Sequence, residues 1–302
     1  MSEETETPEL SVVVPSVNGW GDLSHCLAAL QRESVAVPLE VLVPERCGAP
    51  VRVAVANAYP LVRLLPVPPH TTIPEMRSLA FSAARAPTVA VIEDHVLVPG
   101  GWAHKILEAR RQGQRVIGGS VHNAATERIV DWAAFFCEYS QLVAPLSPGP
   151  ATWLTGNNTA YDRALLAEYR GILASGLWEN VLHDAFRKNG ITLWCRPDLI
   201  AAHRKHYTVR EYLAQRFLSA RAYAGMRLRD ATPLHRFGYG LLALGLPPLL
   251  FARIVSRVWR GGAHRRQLFR SLPLLALFVS AWGLGEVAGA WWGEGNALAR
   301  VT

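Results

Sequence analysis

Three side chains able to hold a cation close an apolar run in Val89–Trp102, VAVIEDHVLVPGGW: Glu93, Asp94 and His95. A strand that delivers two carboxylates and an imidazole at its carboxyl end pays a desolvation cost that folding alone gives no reason to bear. A divalent cation bridging two phosphates needs oxygen or imidazole ligands held in this way, because it must neutralise a leaving diphosphate. The plain alternative is a solvated strand end. Metal-assisted transfer from a diphosphate is thus the chemistry the triplet suggests.

Such a triplet needs a platform, and the surrounding sequence supplies one. From Leu10 onward, short β-branched runs alternate with amphipathic stretches, the pattern of a mostly parallel sheet flanked by helices, in the α/β class. The predicted strands are Leu10–Val17, Leu39–Val43, Val62–Val67, Thr88–Glu93 and Val116–Val121. Leu23, Cys26, Leu27 and Leu30 recur at helical spacing, and a helix over Pro74–Arg85 opens on proline. Further on, the reading is a helix near Ile129–Gln141, a Pro/Gly-rich loop Ala144–Pro150, a segment Thr152–Tyr161, a helix near Trp178–Asn189 and a strand Ile191–Arg196. Irregular loops at the carboxyl ends of strands are where such folds place chemistry.

The segment around Glu93–Asp94–His95 resembles the Asp-x-Asp region of family 2 glycosyltransferases of the GT-A fold, a Rossmann-like architecture, and the likeness covers roughly residues 9–230. Leu10–Val17, LSVVVPSV, is similar to that family's first strand and following proline, here Pro15. Pro74–Ala86 is similar to its arginine-bearing helix, with Arg77 at the arginine. Gly156–Arg163, GNNTAYDR, is similar to its acceptor-side element, with Asn157 and Asn158. The resemblance implies an inverting transfer of sugar from a nucleotide-diphosphate donor, with Pro15, Glu45, Arg77, Glu93, Asp94, Asn157 and Asn158 toward the donor. Glu93 and His95 replace the outer aspartates, as in related acid-x-His enzymes where the His is a metal ligand and a later His completes the site; His203, in LIAAHRKH, is the match. The implied ligand set is Glu93, Asp94, His95 and His203, for Mn²⁺ or Mg²⁺, with imidazole leaning toward Mn²⁺. A surface or structural His203 is the alternative. Glu45 is the only acid where the family's second strand touches the nucleoside, so UDP- and GDP-linked donors both stay open.

An inverting transfer also needs a carboxylate to take the acceptor hydroxyl's proton. The resemblance places it in Trp178–Gly190, WENVLHDAFRKNG, at Glu179. Glu179, Leu182 and Phe186 share one helical face, so the apolar pair would dock the helix and aim the carboxylate. Asp184, on another face, is the rival base, and a purely helix-stabilising Glu179 is the plain alternative. Gln215–Arg221 loosely resembles an acceptor-channel element of processive members, but is as well read as part of a basic amphipathic helix. Gly19-Trp20-Gly21 lacks the third glycine of a dinucleotide fingerprint and no phosphate-loop lysine motif occurs, which disfavours redox cofactors and ATP hydrolysis.

With 302 residues, 50% hydrophobic and 18% charged, the chain is apolar for a soluble enzyme. Its net charge of +7 gathers after about residue 196, from Arg204 to Arg270, among long aliphatic runs and without a nucleic-acid-binding signature. Anionic lipid or phosphate is the expected partner, and nucleic acid is not. Cys26, Cys47, Cys137 and Cys195 show no paired spacing and read as reduced thiols of a cytoplasmic domain; the acidic start MSEETETPEL lacks the features of a signal peptide. The organisation expected is a disordered tail at 1–9, a GT-A domain at 10–230 and a membrane-associated helical region at 231–302. The uncharged runs Phe237–Ala252 and Leu272–Gly285 fall short of the about 20 apolar residues of a span, which favours interfacial or re-entrant helices, with two tilted spans as the alternative. The composite expectation is a glycosyltransferase at the cytoplasmic face of the cell membrane, with a lipid-linked or polysaccharide acceptor. A catalytically inert membrane-bound nucleotide-binding or scaffold protein is the competing one.

Overall fold

The computed structural model describes residues 7–301, so the first six residues of the expected tail lie outside the described part. The chain divides into two compact units. One holds the chain up to His122 together with Pro145–Arg204; the other is Asn123–Ala144 with the chain from Lys205 onward. Composition placed the break near Ala231–Pro233, where the long apolar runs begin. The contacts place it at Arg204–Lys205, because the basic helix that follows packs along the last apolar helix.

The first unit opens as three strand–helix repeats and a fourth strand: β1 (Leu10–Val13), α1 (Trp20–Glu33), β2 (Leu39–Glu45), α2 (Ala49–Ala58), β3 (Arg63–Pro66), α3 (Ile73–Ala83) and β4 (Thr88–Ile92). It continues with β5 (Val96–Leu97), α4 (Trp102–Arg111) and β6 (Val116–Asn123), followed by α5 (Ile129–Tyr139) of the other unit. After that come β7 (Gly149–Ala151), β8 (Asn158–Asp162), α6 (Arg163–Glu168), α7 (Arg170–Ala174), α8 (Glu179–Lys188) and β9 (Leu193–His203).

All nine strands form one mixed sheet in the order β3-β2-β1-β4-β8-β6-β9-β5, with β7 also on β9. Its first four neighbours are parallel, and β8 runs antiparallel to both β4 and β6. Strand alternation sorts the core into two layers. Leu10, Val12, Ala90 and Ile92 pack with α1 and α4 residues such as Leu27 and Trp102, whereas Val13, Val89 and Val91 meet Phe81 of α3 and Leu182 and Phe186 of α8. β4 is buried along its whole length, as a central strand covered on both faces must be.

Two departures from the sequence reading matter for the site. β1 ends at Val13, not Val17, leaving Pro15–Asn18 as a loop at the strand's carboxyl end. β9 runs to His203, well beyond Arg196 and through Pro197, and pairs antiparallel with the short β5 so that His203 lies opposite Val96. A proline inside a run signals a strand's end, which is why this extension is hidden in the sequence.

The second unit is helical: α5, α9 (Val209–Arg227), α10 (Pro233–Ala243), α11 (Leu246–Gly261) and α12 (Arg265–Trp292). α12 packs along α9 through small residues: a Cβ on Gly285 would lie 2.8 Å from Ala220 Cβ, and one on Gly289 2.8 Å from Ala224 Cβ. The uncharged run Leu272–Gly285 is thus the middle of a 28-residue helix long and apolar enough to cross a bilayer, contrary to the short segment expected. α10 and α11 meet that standard only together, and they are bent by 50° at their junction.

Candidate functional site

The parallel strands β2 and β4 flank β1, so the sheet's winding reverses between β1 and β4, the place at the strands' carboxyl ends where open α/β sheets bind ligands. Glu93, Asp94 and His95 leave β4 at that point. The three divide their work. Asp94 is 1% exposed and saturated from within: one oxygen accepts the backbone N–H groups of Val17 (2.8 Å) and Asn18 (2.9 Å). The other accepts Asn18 Nδ2 at 2.6 Å and lies 3.0 Å from His95 Nδ1. Burial alone would raise the Asp94 pKa, but the bonds from His95 and Asn18 outweigh it and hold the carboxyl below its ordinary value. Asp94 therefore pins the β1–α1 loop and the His95 ring, and it stands outside the ligand group the sequence had assigned it to. Asn18, which the sequence reading passed over, is the other half of this clasp.

Because an ionised Asp94 can only accept, His95 Nδ1 must donate to it, and that turns His95 Nε2 outward. Nε2 lies 2.9 Å from His203 Nε2 and 3.3 Å from Glu93 Oε2. Glu93, His95 and His203 each present a ligand atom, all within 4.8 Å of one another. His95 and His203 are buried, at 6% and 4% exposure, while Glu93 keeps partial exposure. Burial would lower the His95 pKa, yet the bonds to Asp94 and Glu93 push it up to about 9, so a cation bound at Nε2 would have to displace the proton held there. For Glu93 the opposing penalty of burial is overcome by His95, Arg77 and His203, so it stays ionised well below the usual carboxylate range. One carboxylate and two imidazoles, one of them oriented from behind by a second carboxylate, form a donor set that fits a first-row divalent cation.

Arg77 links this group to Glu179. Thr72 caps α3 with a capping box and Pro74 opens its first turn, which fixes the helix whose buried face carries Arg77. Its Nη1 donates to Glu179, its Nη2 is 3.8 Å from Glu93 Oε1, and the guanidinium lies 5.9 Å from the Trp178 ring centroid. Arg77 is 2% exposed, and its Nε has no partner among the described residues. Burial would lower the Arg77 pKa; Glu179 and Glu93 together raise it, so the cation is secure. Glu179 opens α8, with Leu182 and Phe186 buried beneath it as the helical spacing predicts, and Asp184 is exposed and paired with Arg187. Gly156 sits against this pair: a Cβ there would lie 2.9 Å from Glu179 Oε2.

The remaining predicted residues separate. Asn157 donates to Glu93 Oε2 at 3.3 Å and belongs to the site. Asn158, its neighbour, points the opposite way and holds the sheet together, accepting Trp102 Nε1 at 3.0 Å and donating to Ser120 O and Leu199 O. It is fully buried with its polar atoms engaged, so it is not a donor contact. Glu45 is also fully buried, accepting Gly48 N at 2.7 Å and Arg52 at 3.1 Å; it fastens the start of α2, where a nucleoside contact had been expected. Pro15 lies in the loop that Asp94 pins. Beneath Glu179, His183 Nε2 lies 2.8 Å from the Tyr161 hydroxyl and its Nδ1 has no partner; burial pushes its pKa down to about 4. The four cysteines are free, as their spacing implied.

No protein-family model matches the chain, and no curated protein matches it.

Proposed function

We propose that the chain is a metal-dependent inverting glycosyltransferase of the family 2, GT-A type, moving sugar from a nucleotide-diphosphate donor to a lipid-linked or polysaccharide acceptor at the cytoplasmic face of a membrane. The observation that carries this reading is the gathering of Glu93, His95 and His203 at the sheet's switch point, with Arg77 shared between Glu93 and Glu179. Those three ligands would hold the cation, and two imidazoles favour Mn²⁺ over Mg²⁺. When bound, the cation supplies positive charge against the leaving diphosphate.

The protein's own groups account for the rest. Arg77, held between Glu93 and Glu179, would turn a guanidinium N–H toward a phosphate oxygen as the donor binds. Glu179 takes the acceptor's proton as the acceptor oxygen bonds to the anomeric carbon and the bond from that carbon to the diphosphate oxygen breaks. Arg77 occupies one oxygen of Glu179, and a diphosphate that draws Arg77 away would leave that oxygen open to the acceptor hydroxyl. The long apolar α12 and the exposed hydrophobic side chains of the helical unit support a membrane setting.

Calorimetry of a nucleoside diphosphate with and without Mn²⁺ tests the site. Binding that requires Mn²⁺ and is lost in both His95→Ala and His203→Ala supports it; unchanged affinity in the two variants removes the assignment. The inert nucleotide-binding alternative draws on the Arg77–Glu179 pair, which leaves the proposed base engaged. Donor hydrolysis on adding Mn²⁺ separates the two, since an inert binder releases no sugar.

A further inference from the structure

The helical unit contains a pocket of about 240 Å³ between the start of α5 and the start of α12, away from every residue assigned above. Its chemistry is that of an anion site. Arg266 and Arg270 are one turn apart on α12, both exposed, and Arg128 lines the opposite wall. Arg128 is committed to Asp131, which it meets at 2.9 and 3.0 Å, whereas Arg266 and Arg270 form no ion pair among the described residues. Glu127 is the one acid in the lining. Trp132 forms the apolar wall, with the His264 ring 4.9 Å from it, centroid to centroid.

Backbone adds to the side chains. The first N–H groups of a helix lack intrahelical acceptors, and neither α5 nor α12 receives a side-chain cap there. Both helix starts line the pocket, and although α5 carries Asp131 in its first turn, the first turn of α12 has no acid to offset its positive end or its two guanidinium groups. The pocket also sits at the basic end of α12, which is long and apolar enough to cross a bilayer, and Phe269, between the two arginines in sequence, is 73% exposed. A free phosphate needs the charge but not the apolar neighbour; a phospholipid needs both.

We propose that this pocket holds the phosphate of an anionic lipid headgroup, with Arg266 and Arg270 as its charged ligands and the acyl chains lying along the exposed apolar side chains. The inference rests on the membrane setting proposed above and is independent of sugar transfer.

The test is the thermal stability of the full chain, purified in mild detergent, with dioctanoyl phosphatidic acid, dioctanoyl phosphatidylcholine or inorganic phosphate. Ligand bound to the folded state raises Tm according to its concentration over Kd. Phosphatidic acid should raise the Tm of the parent and of the charge control Arg253→Gln/Arg257→Gln, and Arg266→Gln/Arg270→Gln should weaken its apparent Kd by about tenfold or more. All four arginines are exposed, so neither pair burdens folding. An undiminished shift in Arg266→Gln/Arg270→Gln, or an equal loss in the control pair, would overturn the pocket while leaving the membrane setting intact. A shift as large with inorganic phosphate alone would make it a free-anion site and overturn the lipid assignment. A chain that stays monodisperse without detergent would remove the membrane setting, and the lipid assignment with it.

Discussion

Among the described residues, the sheet-bearing unit leaves five large hydrophobic side chains exposed and the helical unit twelve, from Leu234 to Trp292. Buried ionisable side chains are distributed the other way: Glu33, Glu40, Glu45, Arg77, Asp94, His95, Glu179, His183 and His203 lie inside the first unit, against Asp131 and Glu286 in the second. The first unit encloses ionisable groups and pairs them, which fits a protein folded against water around a polar crevice. The second encloses little polarity and turns leucine, phenylalanine and tryptophan outward, which fits a surface whose solvent is lipid. One chain thus follows two solvent rules, and each is open to its own perturbation.

The largest effect is expected in the polar unit. Glu179→Gln keeps the shape of the side chain and its acceptor for Arg77 but cannot take a proton, so sugar transfer should fall by about 10²–10⁴-fold with donor affinity retained. Steady-state kinetics beside donor-binding calorimetry checks this; turnover within a few-fold of the parent would move the base elsewhere. Next, Asp94→Ala should lower unfolding stability by about 3 kcal/mol, because it strands the donors of Val17, Asn18 and His95 in a buried place. Denaturant unfolding is the measurement, and a loss under about 1 kcal/mol would show that water replaces the carboxylate.

A pH experiment sharpens the contrast further. His183 has a folded-state pKa near 4 against an ordinary 6.5, so the unfolded chain takes up the proton first. Its stabilising effect is therefore complete above pH 6.5 and declines as pH falls toward 4, by about 2–3 kcal/mol. His183→Gln, which keeps an acceptor for Tyr161, should flatten that decline; identical pH profiles would mean that other groups govern acid sensitivity. The smallest effect belongs to the helical unit's outer face. Leu242→Ser and Phe269→Ser, at positions 79% and 73% exposed, should change folding stability in detergent by no more than about 0.5 kcal/mol. They should nonetheless weaken retention on membranes in a flotation assay. A large stability loss would reveal a protein contact where lipid is proposed.

Much of this was legible in the sequence, and the residues show where legibility ended. β4 was visible because a doubly covered strand is apolar throughout, and α8 because Leu182 and Phe186 recur at helical spacing behind Glu179. The role of Asp94 was not, since a carboxylate that caps loop N–H groups and one that binds metal have the same residue type and place. Asn157 and Asn158 were equally ambiguous until the strand's alternation sent one to Glu93 and the other into the sheet. His203 reaches the site because β9 continues through a proline and finds β5, a pairing only tertiary structure reveals. In the second unit, counting uncharged residues shortened α12, because Glu286 and the flanking arginines lie within or beside a helix that continues past them.

The guanidinium of Arg77, set between Glu93 and Glu179, has a consequence for kinetic order. In a two-substrate transferase, a cation shared by the donor side and the acceptor side makes one half of the reaction wait for the other. On the function proposed above, Glu179 would be open to the acceptor only after the donor's diphosphate has claimed the arginine, so turnover would follow a compulsory sequence, donor before acceptor. Acceptor binding to the donor-free protein would then be unproductive. Nucleoside diphosphate, released last, would inhibit competitively against donor and noncompetitively against acceptor, a pattern that initial-rate plots distinguish from random addition.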